Sequence, residues 1–209
     1  MAIDVRQQTD PPSRPPTRLL VVSLAPPFKE VVGRTRADSA TNNPDDALRR
    51  FLEGALRRRW DELVHSGVAL LHAMKCAVVP DSEGFQNPPA DVVDLCAPRH
   101  LAREIRVLRP TVVATLGRMA YRAVARALAA TPGVPHDPEI RLTKPPGAAQ
   151  EVGNGYTVRL ASGASLRLFV GPFIRGGGQD QAKRMIRSAA IAGGVSRPDL
   201  LDTGPAQTG

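Results

Sequence analysis

Two short apolar runs, Val68–Met74 and Thr111–Leu116, flank a segment whose apolar residues return at helical spacing. Few folds accommodate that order. A buried strand, a crossover helix and a second buried strand form a βαβ unit, which makes the two strands parallel and the connection right-handed. Between them, Val92, Val93, Leu95, Leu101, Ile105 and Leu108 suit one buried helical face. Arg109-Pro110 ends that helix, because the residue before a proline is pushed out of helical geometry. Leu116-Gly117 then opens another helix over Met119–Ala130, aiming backbone N–H groups and a positive dipole end above the sheet.

The remaining segments extend this unit. Arg18–Leu24 is continuous in apolar residues, as a central parallel strand should be, and Ala25-Pro-Pro27 forces the chain out of the sheet. The polar connection from Phe28 to Asp46 follows at the strand's C-terminal end, the edge where open parallel sheets hold ligands. Asp45 or Asp46 caps a helix in which Leu48, Phe51, Leu52, Ala55, Leu56, Trp60 and Leu63 recur at helical spacing. Its other face carries Arg49, Arg50, Arg57, Arg58 and Arg59, which read as a solvated face or as a phosphate-facing patch. Residues 131–155 are dense in proline and glycine and read as an irregular loop. Tyr156–Leu160 and Ser165–Val170 form a hairpin feeding the last core strand, followed by a glycine-rich loop and a helix over Gln179–Ala192. The expected fold class is α/β, a three-layer α/β/α sandwich over residues 18–193 with a short, mostly parallel four-stranded central sheet. Residues 1–17 and 194–209 are expected to be disordered tails.

Charge narrows the partners. The 209 residues carry a net charge of +8, nearly all the positive charge being arginine, which favours polyanions and phosphates above all. A bias in coding composition produces the same arginine count without any partner. Aromatic residues make up only 4% of the chain, which argues against a broad stacking platform for single strands. No apolar run is long enough to span a membrane and the N-terminus lacks a leader's apolar core, so the expected location is the cytoplasm. Cys76 and Cys96 are the only cysteines; two thiols twenty residues apart fit no zinc or disulfide framework and are expected to be reduced. No metal and no cofactor are called for.

The order of motifs resembles the uracil-DNA glycosylase superfamily, in particular its bacterial branches related to the iron–sulfur enzymes. Ser23-Leu-Ala-Pro-Pro27 stands where that family has a Gly-Glu-Ala-Pro-Gly-like turn, and Gly33-Arg-Thr-Arg36 where it has a Gly-Arg-Pro-Phe loop. His72-Ala-Met-Lys-Cys-Ala-Val-Val-Pro80 matches an Asn-x-x-Lys-Cys-x-x-x-Pro-like strand end. Cys96, Leu101, Glu104, Ile105, Leu108 and Pro110 match the next block, with Leu101 one residue late, and Val112-Val-Ala-Thr-Leu-Gly-Arg-Met-Ala120 completes it. The central block is specific and the flanks are weak.

The resemblance implies four tasks, and all four positions differ here. Leu24 stands where a carboxylate or amide orients the attacking water, and Arg36 where an aromatic stacks on the flipped base. His72 stands where an asparagine reads the base edge, and Gly171-Pro-Phe-Ile174 where a His-Pro-Ser motif stabilises the leaving base. The resemblance also makes Cys76 and Cys96 two of four cluster ligands, but two thiolates cannot hold a cubane cluster.

The site expected from these readings has His72 and Asp38 as catalytic residues. Ser23, Leu24, Ala25, Pro26, Phe28, Arg36, Lys75 and Phe173 are expected to contact substrate. Arg118, Ile174, Arg175, Gly176 and Lys183 are expected to contact duplex DNA, with Ile174 and Arg175 as the wedge. Two functions follow: a divergent DNA glycosylase acting on a damaged or modified base, or a catalytically silent nucleic-acid or nucleotide-binding module that keeps the fold.

Overall fold

The computed structural model describes residues 16–24, 46–74, 90–129, 155–159, 165–174 and 178–196. β1 (Leu19–Ser23), β2 (Val68–His72), β3 (Val112–Leu116) and β5 (Ser165–Gly171) run parallel, and β4 (Tyr156–Arg159) pairs antiparallel with β5. The order across the sheet is β2-β1-β3-β5-β4. The sheet thus has five strands rather than the four expected, because the first arm of the hairpin joins the sheet as an edge strand beside β5.

Strand pleating sends alternate side chains to opposite faces, and each face has its own core. Leu20, Val22, Val113, Leu168 and Val170 meet Val93, Leu101, Tyr121, Val124 and Leu128 on one side. The helices there are α3 (Ala90–Arg99), α4 (Leu101–Leu108) and α5 (Arg118–Ala129). On the other side Leu19, Val21, Val112, Ala114, Leu116 and Phe169 meet Leu48, Phe51, Leu52, Leu63, Met185 and Ile186. Those belong to α1 (Asp46–Leu56), α2 (Trp60–His65) and α6 (Gln179–Ala192). The three-layer α/β/α sandwich is present.

Several local expectations change. The helix expected to run through Leu48 and Leu63 is broken in two: Arg57 takes a left-handed φ of 52°, and Glu53 Oε1 accepts the Trp60 N–H at 2.7 Å, capping α2. The crossover helix is likewise divided, at His100 between α3 and α4. Leu95 is 57% exposed rather than buried, because Val93, Ala97, Leu101 and Ile105 form the buried stripe at four-residue steps. α4 ends at Arg109 as expected, but in left-handed rather than extended geometry, with the Arg109 N–H donating to Ile105 at 2.9 Å. Two residues that the sequence reading assigned to the tails pack against the domain. Thr17 is buried, and Val195 is buried with its N–H donating to Ala190 O at 2.8 Å.

Three arginines of α1 and α2 and the turn between them make contacts within the chain, while Arg50, Arg57 and Arg59 are exposed. Arg49 lies over the Trp60 ring at 5.1 Å, Arg58 reaches Glu62 and the Val195 carbonyl, and Arg59 pairs with Asp61 at 3.3 Å. α1 runs away from the C-terminal edge of the sheet, so Arg57, Arg58 and Arg59 lie at its opposite end, beside the turn into β2. The phosphate-facing alternative for these three is not supported by that placement.

Asp94 anchors α5 against α3. It accepts from Arg122 at 2.8 and 2.6 Å and from Arg126 at 3.2 and 3.2 Å, so one carboxylate holds two guanidinium groups. The Arg122 hydrogen bonds, assisted by those of Arg126 and opposed by burial, draw the Asp94 carboxyl from its ordinary 3.8 down to about 2. A depressed carboxyl stabilises the fold above its unfolded value and loses that contribution as pH falls toward the folded one. Asp94→Asn is therefore expected to cost about 1–2 kcal/mol at neutral pH, discounted for the solvent that reaches the cluster. The difference between wild type and variant should shrink between about pH 4 and pH 2 in urea unfolding, a narrowing that a pH-independent packing defect would not produce.

Candidate functional site

Registration of the parallel strands decides what meets at the C-terminal edge. Ser23 is opposite His72 across β1 and β2, and Leu116 is opposite Gly171 across β3 and β5. Val22 pairs with Thr115, so the β1 and β3 ends are level as well. Four strand ends therefore form one row. Pleat alternation places Ser23 and His72 on the face that carries Val21 and Leu70, the α1 and α6 side.

Ser23 Oγ lies 2.5 Å from His72 Nδ1. Ser23 is only 6% exposed, one of few buried polar residues among those described, and His72 is half-buried. Beyond the strands the pairing continues: Ala73 N–H donates to Ser23 O and Met74 N–H to Leu24 O, both at 2.8 Å. The imidazole is thus mounted on a rigid ladder rather than on a loop.

The β3 and β5 ends supply a second wall. Gly117 has φ +95°, a conformation in which a side chain is strained, and its N–H donates to Gly171 O at 2.8 Å. Phe173 packs on this turn: a Cβ on Gly117 would stand 3.5 Å from the Phe173 Cβ. Phe173 nonetheless remains 37% exposed, an aromatic surface at the sheet edge. α5 begins directly after Gly117, and α6 begins after Gly178 with no side chain capping it. Both helix N-termini therefore present N–H groups and positive dipole ends along this edge.

Of the other expected site residues, Leu24 is 7% exposed and packs in the α3–α5 core, so its side chain is unavailable to a ligand. Arg118 is exposed at the first position of α5. Ile174 is half-buried against the α6-side core, and Lys183 lies 3.8 Å from Asp180 on α6. Ala25, Pro26, Phe28, Arg36, Asp38, Lys75, Arg175 and Gly176 lie outside the described residues. Sequence reasoning named Ser23 and His72 but missed their hydrogen bond; the signal was the equal length of the two apolar strands ending in these residues.

A family model described as the uracil DNA glycosylase superfamily matches residues 13–169. This chain belongs to the uracil-DNA glycosylase superfamily. The match takes in Ser23, Leu24, His72 and Gly117, and ends before Gly171-Pro-Phe-Ile174. No curated protein matches the chain. Membership supports a glycosylase-like function in general. The iron–sulfur cluster of the related branches does not fit this superfamily member: four thiolates are needed and the sequence has two cysteines. Of these, Cys96 is half-buried on α3 and Cys76 lies outside the described residues.

Proposed function

We propose that this protein binds duplex DNA across the C-terminal edge of the sheet and hydrolyses the N-glycosidic bond of a damaged or modified base. The observation that carries this reading is the row of four strand ends holding His72, Ser23, Gly117 and Phe173 together in a chain of this superfamily. A base must leave the stack before its glycosidic bond can be reached. In this reading Phe173 stacks on the extruded base and His72 donates to its edge. The N-termini of α5 and α6, with Arg118 and Lys183, take the phosphates.

The reaction adds water to the sugar C1′ as the bond to the base nitrogen breaks, and the base departs with the bonding electron pair. Positive dipole ends and a donor on the base stabilise that developing charge. Asp38, in the connection between β1 and α1, is the carboxylate we assign to orienting the water. Leu24 cannot take that task, since it has no polar atom on its side chain and is buried.

The same buried Leu24 is the observation that favours a second reading, a binding module without catalysis. One assay separates them. The protein is incubated with duplexes bearing a panel of modified bases, and abasic sites are detected by alkaline cleavage. Base-dependent product supports the enzyme; binding without product from any base supports the module. Release of uracil from a U·G pair is expected to be slow or absent, and rapid release would show that the water is oriented by a group we have not assigned. In either reading affinity for duplex should fall as salt rises, with log K decreasing by about 0.9 per log unit of salt for each phosphate neutralised. Salt-independent binding would contradict a phosphate interface.

A further inference from the structure

The helices on the α3–α5 side of the sheet leave the edge strand β2 partly uncovered. Leu71 points to that side and is only half-buried, although Ala69 and Ala73 on the same face are buried. The crossover helix breaks at His100, and a groove of about 560 Å³ opens beside the break, with Leu71 of β2 and Val107 of α4 as its apolar part. Val107 is 73% exposed, the most exposed large apolar side chain among the described residues. Arg99, His100 and Arg103 line the same groove, and all three are exposed. The ion pairs found among the described residues involve none of them. Elsewhere in this helical layer Arg122 and Arg126 are engaged by Asp94. The one carboxylate in the lining, Glu104, is half-buried.

We propose that this groove docks a short acidic segment of another protein, with carboxylates on Arg99 and Arg103 and an apolar side chain over Leu71 and Val107. Each part of the lining asks for something such a segment carries. Guanidinium groups hold carboxylates through paired, charge-assisted hydrogen bonds. The apolar part is stabilised only by covering it with apolar surface. Glu104 accepts hydrogen bonds, and a peptide N–H can donate to it where a phosphodiester has no proton to give. No aromatic side chain lines the groove, so a nucleic-acid base finds no ring to stack on. The placement agrees. Leu71 faces the opposite side of the sheet from the Ser23–His72 pair. α4 runs down to Arg109, just before β3 begins, and so leads away from the row of strand ends that includes His72. The groove and the candidate site can therefore be occupied together, and the inference does not depend on the DNA reading.

Random peptides displayed on phage are selected against the full chain, and an enriched peptide, synthesised with a fluorescent label, serves as the probe. Enriched sequences are expected to join Asp or Glu to Leu, Ile or Phe. In backbone amide NMR the probe should move Leu71, Arg99, Arg103 and Val107 and leave Gly117 and Gly171 in place. By fluorescence anisotropy, Arg103→Glu should weaken the probe at least about tenfold and Val107→Ser severalfold. Both side chains are exposed, so neither substitution removes a core contact. Serine in place of the probe's apolar residues should also weaken it at least about tenfold. Equal binding by that serine peptide would mean that net charge alone is read, and would overturn the proposal. Enrichment of no sequence, or of basic ones, overturns it as well, as do shifts confined to Gly117 and Gly171. Displacement of the probe from Leu71 and Val107 by a short duplex would make the groove a nucleic-acid surface instead. A Val107 amide that shifts on diluting the chain without probe would give the groove to a second copy. Each of those two results contradicts the proposal.

Discussion

His72→Ala is expected to lower base release by about 100-fold or more while leaving affinity for undamaged duplex nearly unchanged. The split follows from what each part of the edge does. Affinity for duplex comes chiefly from phosphates, which this account assigns to the N-termini of α5 and α6 and to Arg118 and Lys183. His72 lies at the end of β2, level with Ser23, and the proposed function has it act on a base rather than on the backbone. Single-turnover base release and fluorescence anisotropy on the same duplex measure the two effects separately. Loss of both in equal measure would mean that the substitution disturbs the edge as a whole. Unchanged release would remove His72 from the chemistry.

Phe169→Ala should cost about 3–5 kcal/mol of stability, the range for deleting a fully buried aromatic. Phe169 is 1% exposed on β5 and faces the α6 side of the sheet. Its ring lies against Gly155, where an added Cβ would come within 2.8 Å, and the Arg167 guanidinium sits 5.5 Å from the ring centroid. The ring is thus enclosed by the α6-side core and by the residue that leads into β4. Urea unfolding should show a lower midpoint at an unchanged slope. The candidate site would feel this as well, since β5 leads directly to Gly171 and Phe173. A loss below about 1 kcal/mol would show that the core on the α6 side of the sheet does not depend on this ring.

How far the chain was legible depends on where its instructions lie. β1 and β3 could be read because they are buried on both faces and show unbroken apolar runs. The α6 boundaries, Gln179–Ala192, follow from an apolar stripe ending at a glycine pair. The break between α1 and α2 could not be read: a left-handed arginine at position 57 has no sequence signature, and the Glu53 cap forms only once α2 has turned back. Leu95 has the size of a core residue but not its position. It stands about 200° around the helix from Val93, while the small Ala97 occupies the buried stripe. The hairpin was visible as two runs, but nothing in Tyr156–Arg159 announces that it pairs on the outside of β5 as a fifth strand.

The site follows the same division. His72 and Gly117 end apolar strands and could be placed from the sequence. The Ser23–His72 bond depends on strand registration, Leu19 beside Val68, which the β1–β2 connection leaves open in the sequence. Gly117 is required by its φ of +95°, not by Phe173, which would meet a Cβ there only at an ordinary contact distance of 3.5 Å, so their neighbourhood had no signal in the sequence.

The most direct measurement is a backbone amide NMR titration of the full chain with a short duplex carrying a stable abasic analogue. Because it reads contact rather than turnover, it serves the enzyme and the module alike. The largest shifts are expected at Ser23, His72, Gly117, Gly171 and Phe173, with Gly67, Thr111 and Gly194 at the opposite end of the sheet unmoved. Shifts concentrated at Gly67, Thr111 and Gly194, or none at the His72 row, would contradict the account.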